Sequence, residues 1–157
     1  VLHGFSGSLA TILGIFQFSK KFRQNSLKRH ITIGLSYVIL CLTGGITGLT
    51  MSFFATGGMP STIGFGLLAI FWILSAIGTA YYGYKRNIVQ HKKFLLISYA
   101  LTLSALTLRI YLLLFVGVLK LEPLYSYTLI AWLCWVPNLA IAFIIGRSPE
   151  KKLMSNE

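Results

Sequence analysis

Three histidines, one arginine deep in an apolar run and one asparagine just after a proline are the side chains of this 157-residue sequence best suited to chemistry. His30 and His91 stand beside basic residues, in KRH and HKK, each at the foot of an apolar run, while His3 opens the first run. Arg109 lies well inside HKKFLLISYALTLSALTLRIYLLLFVGVLK, and Asn138 follows Pro137. Two imidazoles at one membrane depth, on helices running in the same direction, can fill both axial positions of a heme b. A guanidinium in lipid costs about 2.5 to 3.5 kcal/mol on insertion scales and normally faces the bundle interior, a cavity or an anionic ligand. Each residue also has a plainer reading. A histidine beside lysines can be interfacial, and a mid-membrane asparagine more often bonds a neighbouring helix than a ligand.

The elements that must position these groups are membrane helices. Hydrophobic residues make up 55% of the chain, charged residues 11%, and the mean hydropathy is +0.75, which is not the composition of a soluble domain. Crossing roughly 30 Å of hydrocarbon takes about 20 apolar residues. Five runs meet that need, at about 1–19, 31–55, 62–84, 94–119 and 126–146. The predicted fold is all-α, a transmembrane helical bundle over 1–147 followed by a short, unstructured cytoplasmic tail over 148–157. A barrel is excluded by the length of the runs. The chain begins with Val1, and a further helix upstream of this numbering would make six spans.

Orientation follows from charge. All of the 14 lysines and arginines except Arg109 and Lys120 fall in the first connection, the third connection or the tail. The positive-inside rule places these in the cytoplasm, with Val1 outside and Glu157 inside. The net charge of +11 is thereby a matter of topology, suited to anionic lipid, and a nucleic-acid partner is not expected. His30 and His91 then share the cytoplasmic depth, while His3 lies at the outer end with Met51 or Met59 as its only nearby soft ligands.

Helical spacing orients two spans. His91, Ser98, Thr102, Ala105 and Arg109 fall on one stripe, and His91 and Arg109 are separated by about 27 Å along the axis. That stripe is expected to face inward, with Arg109 as the positive wall of a polar site in the outer half. Gly34, Cys41, Gly45, Gly48 and Ser52 form a stripe of small residues on the second span, suited to close helix packing or to a flat ligand. In the fifth span, Trp132 fits the interfacial belt. Glu122 reads as a solvated loop residue before Pro123. The two cysteines, Cys41 and Cys134, form no CxxC and read as packing residues. Zinc would need ligands that the chain does not place at the depth of His30 and His91. No GxSxG, HExxH, GxxxxGK[ST] or GxGxxG motif is present, and Glu122, Glu150 and Glu157 are the only acids, so hydrolysis by paired carboxylates is excluded.

The run HKKFLLISYALTLSALTLRIYLLL with WLCWVPNLAIAF resembles the closing half of a bacterial family of multi-pass membrane proteins of unknown function. Its pattern there is close to HRRWMIRSYALT, with a later L-R-x-Y-L and W-x-x-W-x-x-N. HG at His3, QF at Gln17, RH at Arg29 and His30 with Gly34 and Tyr37 after it, Trp72 and YYGYKRN from Tyr81 fit as well. Phe94 and Leu95 stand where the family favours Trp and Met. The resemblance carries over His3, His30, His91, Arg109, Trp132, Trp135 and Asn138. More remotely, the family is similar in layout to the two-heme membrane cytochromes b, which implies a cytochrome-b-like four-helix core and a bacterial inner-membrane location.

The expected function is therefore a heme-b electron carrier with His30 and His91 as axial ligands, and with a quinone or an external metal acceptor near Arg109. His3, Arg109 and Asn138 are its further candidate cofactor contacts, and a partner subunit or a second copy is its expected company. The other reading is a heme-free assembly partner or small-solute permeation protein, in which Arg109 and Asn138 tie helices together.

Overall fold

A computed structural model describes the backbone of residues 1–154 and the side chains of residues 1–146. Each apolar run becomes helix. They are α1 (Leu2–Phe18), α3 (Leu27–Ser52), α4 (Gly58–Tyr84), the pair α5 (Ile88–Thr102) and α6 (Ser104–Leu112) continued by a π-helical turn at Leu113–Val118, and the pair α7 (Pro123–Leu133) and α8 (Val136–Met154). A short helix α2 (Lys20–Asn25) fills the first connection, which was expected to be a loop. Four stretches, Leu27–Ser52, Gly58–Tyr84, Ile88–Val118 and Pro123–Gly146, are long and apolar enough to cross a membrane. The first run makes a shorter helix of 17 residues, about 25 Å at 1.5 Å per residue. The tail from 148 was expected to be unstructured, but helix continues to Met154, while residues 155–157 lie outside the described part.

Several helix starts lie at side-chain caps that a hydropathy window does not register. The Ser26 hydroxyl accepts from Arg29 N at 3.3 Å, so α3 begins before its apolar run. Asn87 does the same for α5 through Gln90 N at 3.1 Å. Glu122, expected to be a free loop residue, caps α7 by accepting from Tyr125 N at 2.8 Å, with Pro123 in the first turn. The turn from α3 into α4 passes through Gly57 at φ 104°, a conformation open to glycine and costly for other residues.

Helices α1, α3, α4 and α5 form a ring in that order: α1 packs on α3, α3 on α4, α4 on α5, and α5 closes on α1. Helices α3 and α5 therefore face each other across a diagonal. Outside the ring, α7 packs on α4 and α6, and α8 packs on α5. The buried centre is built from Tyr37, Cys41, Trp72, Ala76, Leu95 and Leu101.

The glycine stripe of α3 is occupied by protein. A Cβ at Gly45 would meet Ile73 Cγ1 at 2.5 Å, one at Gly48 would meet His3 Cε1 at 2.9 Å, and one at Gly34 would meet Gln17 Oε1 at 3.1 Å. Close packing is the use this stripe serves. Two other glycines give changes of opposite sign. At Gly64 a Cβ would lie 2.9 Å from the Ala131 carbonyl oxygen, and backbone cannot rotate away, so Gly64→Ala is expected to destabilise by about 1 to 3 kcal/mol. At Gly7 a Cβ meets nothing within 4 Å, so Gly7→Ala should stabilise by up to about 1 kcal/mol through helix propensity. Thermal unfolding in one detergent reads both, and equal signs would contradict the packing described.

Candidate functional site

Two places in the ring gather polar side chains, one at each end, and a hydrogen-bonded belt separates them. At the basic end, His30 sits on the first turn of α3 and His91 on the first turn of α5, so the diagonal of the ring joins them. Both are half-buried. His91 Nδ1 lies 2.8 Å from the Thr79 carbonyl oxygen of α4. A carbonyl can only accept, so Nδ1 carries the proton, and in the neutral ring Nε2 keeps a free lone pair. Gly83 makes room for this contact, since a Cβ there would stand 3.0 Å from Nδ1. His91 and Arg23 lie close enough to His30 for their charges to act on it. Among the described residues, His30 Nδ1 is buried without a hydrogen-bond partner, and so is Nε2 of Gln17, a residue only 4% exposed on α1. Gln17 packs at Gly34, one turn above His30 on the same face of α3. Among the described residues, no three His, Cys, Asp or Glu side chains come together as a metal-ion site.

The belt lies at mid-bundle. Thr102 Oγ1 bonds the Ser98 carbonyl at 2.9 Å, accepts from Trp72 Nε1 at 2.9 Å and lies 3.1 Å from Tyr37 Oη. Tyr37 Oη is also 2.9 Å from Ser98 Oγ. One assignment of protons satisfies all four side chains: Thr102 donates to the carbonyl, Tyr37 and Trp72 donate to Thr102, and Ser98 donates to Tyr37.

At the opposite end a cavity of about 580 Å³ opens inside the ring. His3, Ser104, Arg109 and Tyr127 contribute polar groups, Phe65 and Leu68 apolar walls, and Trp72 with Thr102 the floor. His3 Nδ1 lies 2.8 Å from the Gly44 carbonyl oxygen, so this ring too is pinned through Nδ1–H and keeps Nε2 free. Arg109 is exposed along the cavity wall, and its Nη1 donates to the Ala105 carbonyl of its own helix at 2.9 Å. Thr102, Ala105 and Arg109 of the expected stripe do line one space. They do so across a break at Leu103, since the helix was expected to run unbroken to 119. Hydroxyl back-bonds flank the interruption, from Thr102 to the Ser98 carbonyl and from Thr107 to the Leu103 carbonyl at 3.1 Å.

Asn138 is not among the cavity-lining residues. Its Nδ2 donates to Thr107 Oγ1 at 3.0 Å, to the Cys134 carbonyl at 3.1 Å and to the Ala100 carbonyl at 3.4 Å, tying α8 to α5 and α6. The fifth span breaks between α7 and α8 just before Pro137, whose ring has no place beside a continuing helical carbonyl. Trp135 is buried with Nε1 on the Ala131 carbonyl at 2.9 Å, and Trp132 packs against it. Sequence reasoning passed over Gln17 and Tyr37 as chemical groups. Polarity inside an apolar run is the signal that marks Gln17, and spacing of three and four from Gly34 and Cys41 is the one that marks Tyr37.

A ring of long apolar helices, capped by basic connections and holding its polar groups inside, defines a polytopic helical membrane protein. Residues 1–145 match the family described as Predicted membrane protein (DUF2306), and the chain belongs to that family. No curated protein and no solved structure matches the chain.

Proposed function

We propose that the chain is a membrane electron carrier that holds one heme b between His30 and His91. The observation that carries this reading is their diagonal placement: two imidazoles on facing helices, at one depth of a four-helix ring. Two histidines alone make a poor site for a bare ion, whereas a porphyrin brings its own equatorial ligands. The surrounding residues fit such a group. His91 has the bond from its second ring nitrogen to a carbonyl that orients ligating histidines. Gln17 Nε2 and His30 Nδ1, both buried, have no partner among the described residues. Arg29, Lys92 and Lys93 supply cations for carboxylates at the same end. When bound, heme supplies one-electron redox chemistry. The chain's own part is to fix the two ring nitrogens, exclude water with the belt above them and neutralise negative charge at the rim.

In this reading the basic end is cytoplasmic in a bacterial inner membrane, following the positive-inside rule. The heme-free alternative, an assembly or permeation protein, draws its support from Asn138, which ties helices as that reading requires. A reduced-minus-oxidised visible spectrum of protein purified from heme-supplied cells separates the two. The expected result is a b-type difference spectrum with about one heme per chain. Colourless protein under those conditions ends the electron-carrier reading.

A further inference from the structure

We propose that the cavity at the end opposite the basic connections binds a single-chain lipophilic carboxylate, taken up from the bilayer between α1 and α6. This goes beyond the heme reading and stands independently of it. Among the described residues, Arg109 is the one Lys or Arg lining the cavity, and no acidic residue lines it. A guanidinium stays protonated and offers five N–H donors in a fork that matches a carboxylate, yet the protein satisfies one of them with the Ala105 carbonyl. The remaining donors need an oxygen from elsewhere. His3 adds a second polar group, because its Nδ1–H is committed to Gly44 and its Nε2 is free to share a proton with an acid.

The rest of the cavity is built for an apolar body. Ile12, Phe65, Leu68, Leu101 and Leu108 line it, and its volume of about 580 Å³ falls in the range of roughly 300–1,000 Å³ typical of small-molecule sites. The way in is marked by exposure. Ile12 on α1 is 53% exposed and Leu106 on α6 is 54% exposed, and both line the cavity, so the space opens sideways where hydrocarbon lies. A carboxylate head held by Arg109 at the wall, with its chain reaching toward the Trp72 and Thr102 floor, fits this distribution of charge. A neutral carbonyl ligand would leave the cation without a counter-charge in a largely apolar space.

Palmitate and methyl palmitate, titrated against the full-length protein in phosphatidylcholine nanodiscs with binding read by native mass spectrometry, test this directly. The acid should bind at about one per chain and the ester at least tenfold more weakly, since the two differ only in the charged head. Arg109→Leu should weaken the acid at least tenfold and remove its advantage over the ester. Gly7→Phe grows into the cavity from a position where a Cβ meets nothing within 4 Å, so it should fold and lose palmitate even if Arg109→Leu does not fold. His30→Ala should leave palmitate binding unchanged, which keeps this result separate from the heme result. Equal binding of acid and ester to the wild type, or acid binding that survives Gly7→Phe, overturns the proposal.

Discussion

Protein carrying His30→Ala or His91→Ala is expected to reach the membrane and purify without heme, its retention lowered by about 100-fold or more. The magnitude follows from metal sites in general, where even the partners that orient a ligand are worth about 10- to 100-fold in affinity, and a ligand more. The two substitutions remove little that holds the helices together. His91 gives up a bond to the Thr79 carbonyl, and His30 has no bond at Nδ1 to lose. His3→Ala should leave the spectrum intact, because His3 sits at the far end of the ring against Gly44 and Gly48. Gly83→Ala is the intermediate case. Its methyl would press on His91 Nδ1 from 3.0 Å and turn the ring, so weakened but detectable heme is expected. If His3→Ala is colourless while His30→Ala keeps its absorbance, the heme belongs in the cavity and the assignment made above is wrong.

The second large effect is on stability. Thr102→Val keeps shape and removes the oxygen on which the belt converges. Trp72 Nε1 and Tyr37 Oη, both buried, then lose an acceptor while their donors remain. A buried donor left unpaired costs about 1 to 3 kcal/mol, so two point to a loss of about 2 to 4 kcal/mol after partial relaxation of Tyr37 toward Ser98. Interhelical hydrogen bonds in membranes average nearer 0.6 kcal/mol in double-mutant cycles, roughly, but those figures describe pairs rather than a shared acceptor. Tyr37→Phe removes donor and acceptor together and should cost clearly less. Unfolding midpoints in one detergent decide the order, and Tyr37→Phe proving the more damaging would mean that the belt is not organised around Thr102.

The sequence was legible where one physical quantity dominated. Apolar run length was enough to place the helices, because hydrocarbon thickness allows few other solutions. Boundaries shifted where a cap outside the apolar run decides, as at Ser26, Asn87 and Glu122. The breaks at Leu103 and ahead of Pro137 differ in kind. Pro137 announces itself, whereas the interruption at Leu103 lies between hydroxyl back-bonds that hydropathy does not register. Spacing showed that Thr102, Ala105 and Arg109 share a face, and they share a cavity. It could not say what stands opposite a face. That is why the glycines of the α3 stripe were left between close packing and room for a flat ligand, when His3, Gln17 and Ile73 fill them, and why Asn138, read as a candidate cofactor contact, is found holding helices together.

The belt has an electrical consequence. Wherever water enters the cavity, it carries the potential of that side into the protein as far as Trp72 and Thr102, which form the floor. The voltage across the bilayer then falls mainly over the remaining distance to the basic end, through the layer that contains Tyr37, Ser98 and the apolar residues beneath them. A charge crossing the whole membrane exchanges about 2.3 kcal/mol per 100 mV. Concentrated in that layer, the field acts most strongly between the belt and the two histidines, so any charge moved along this axis between them does nearly all of its electrical work there.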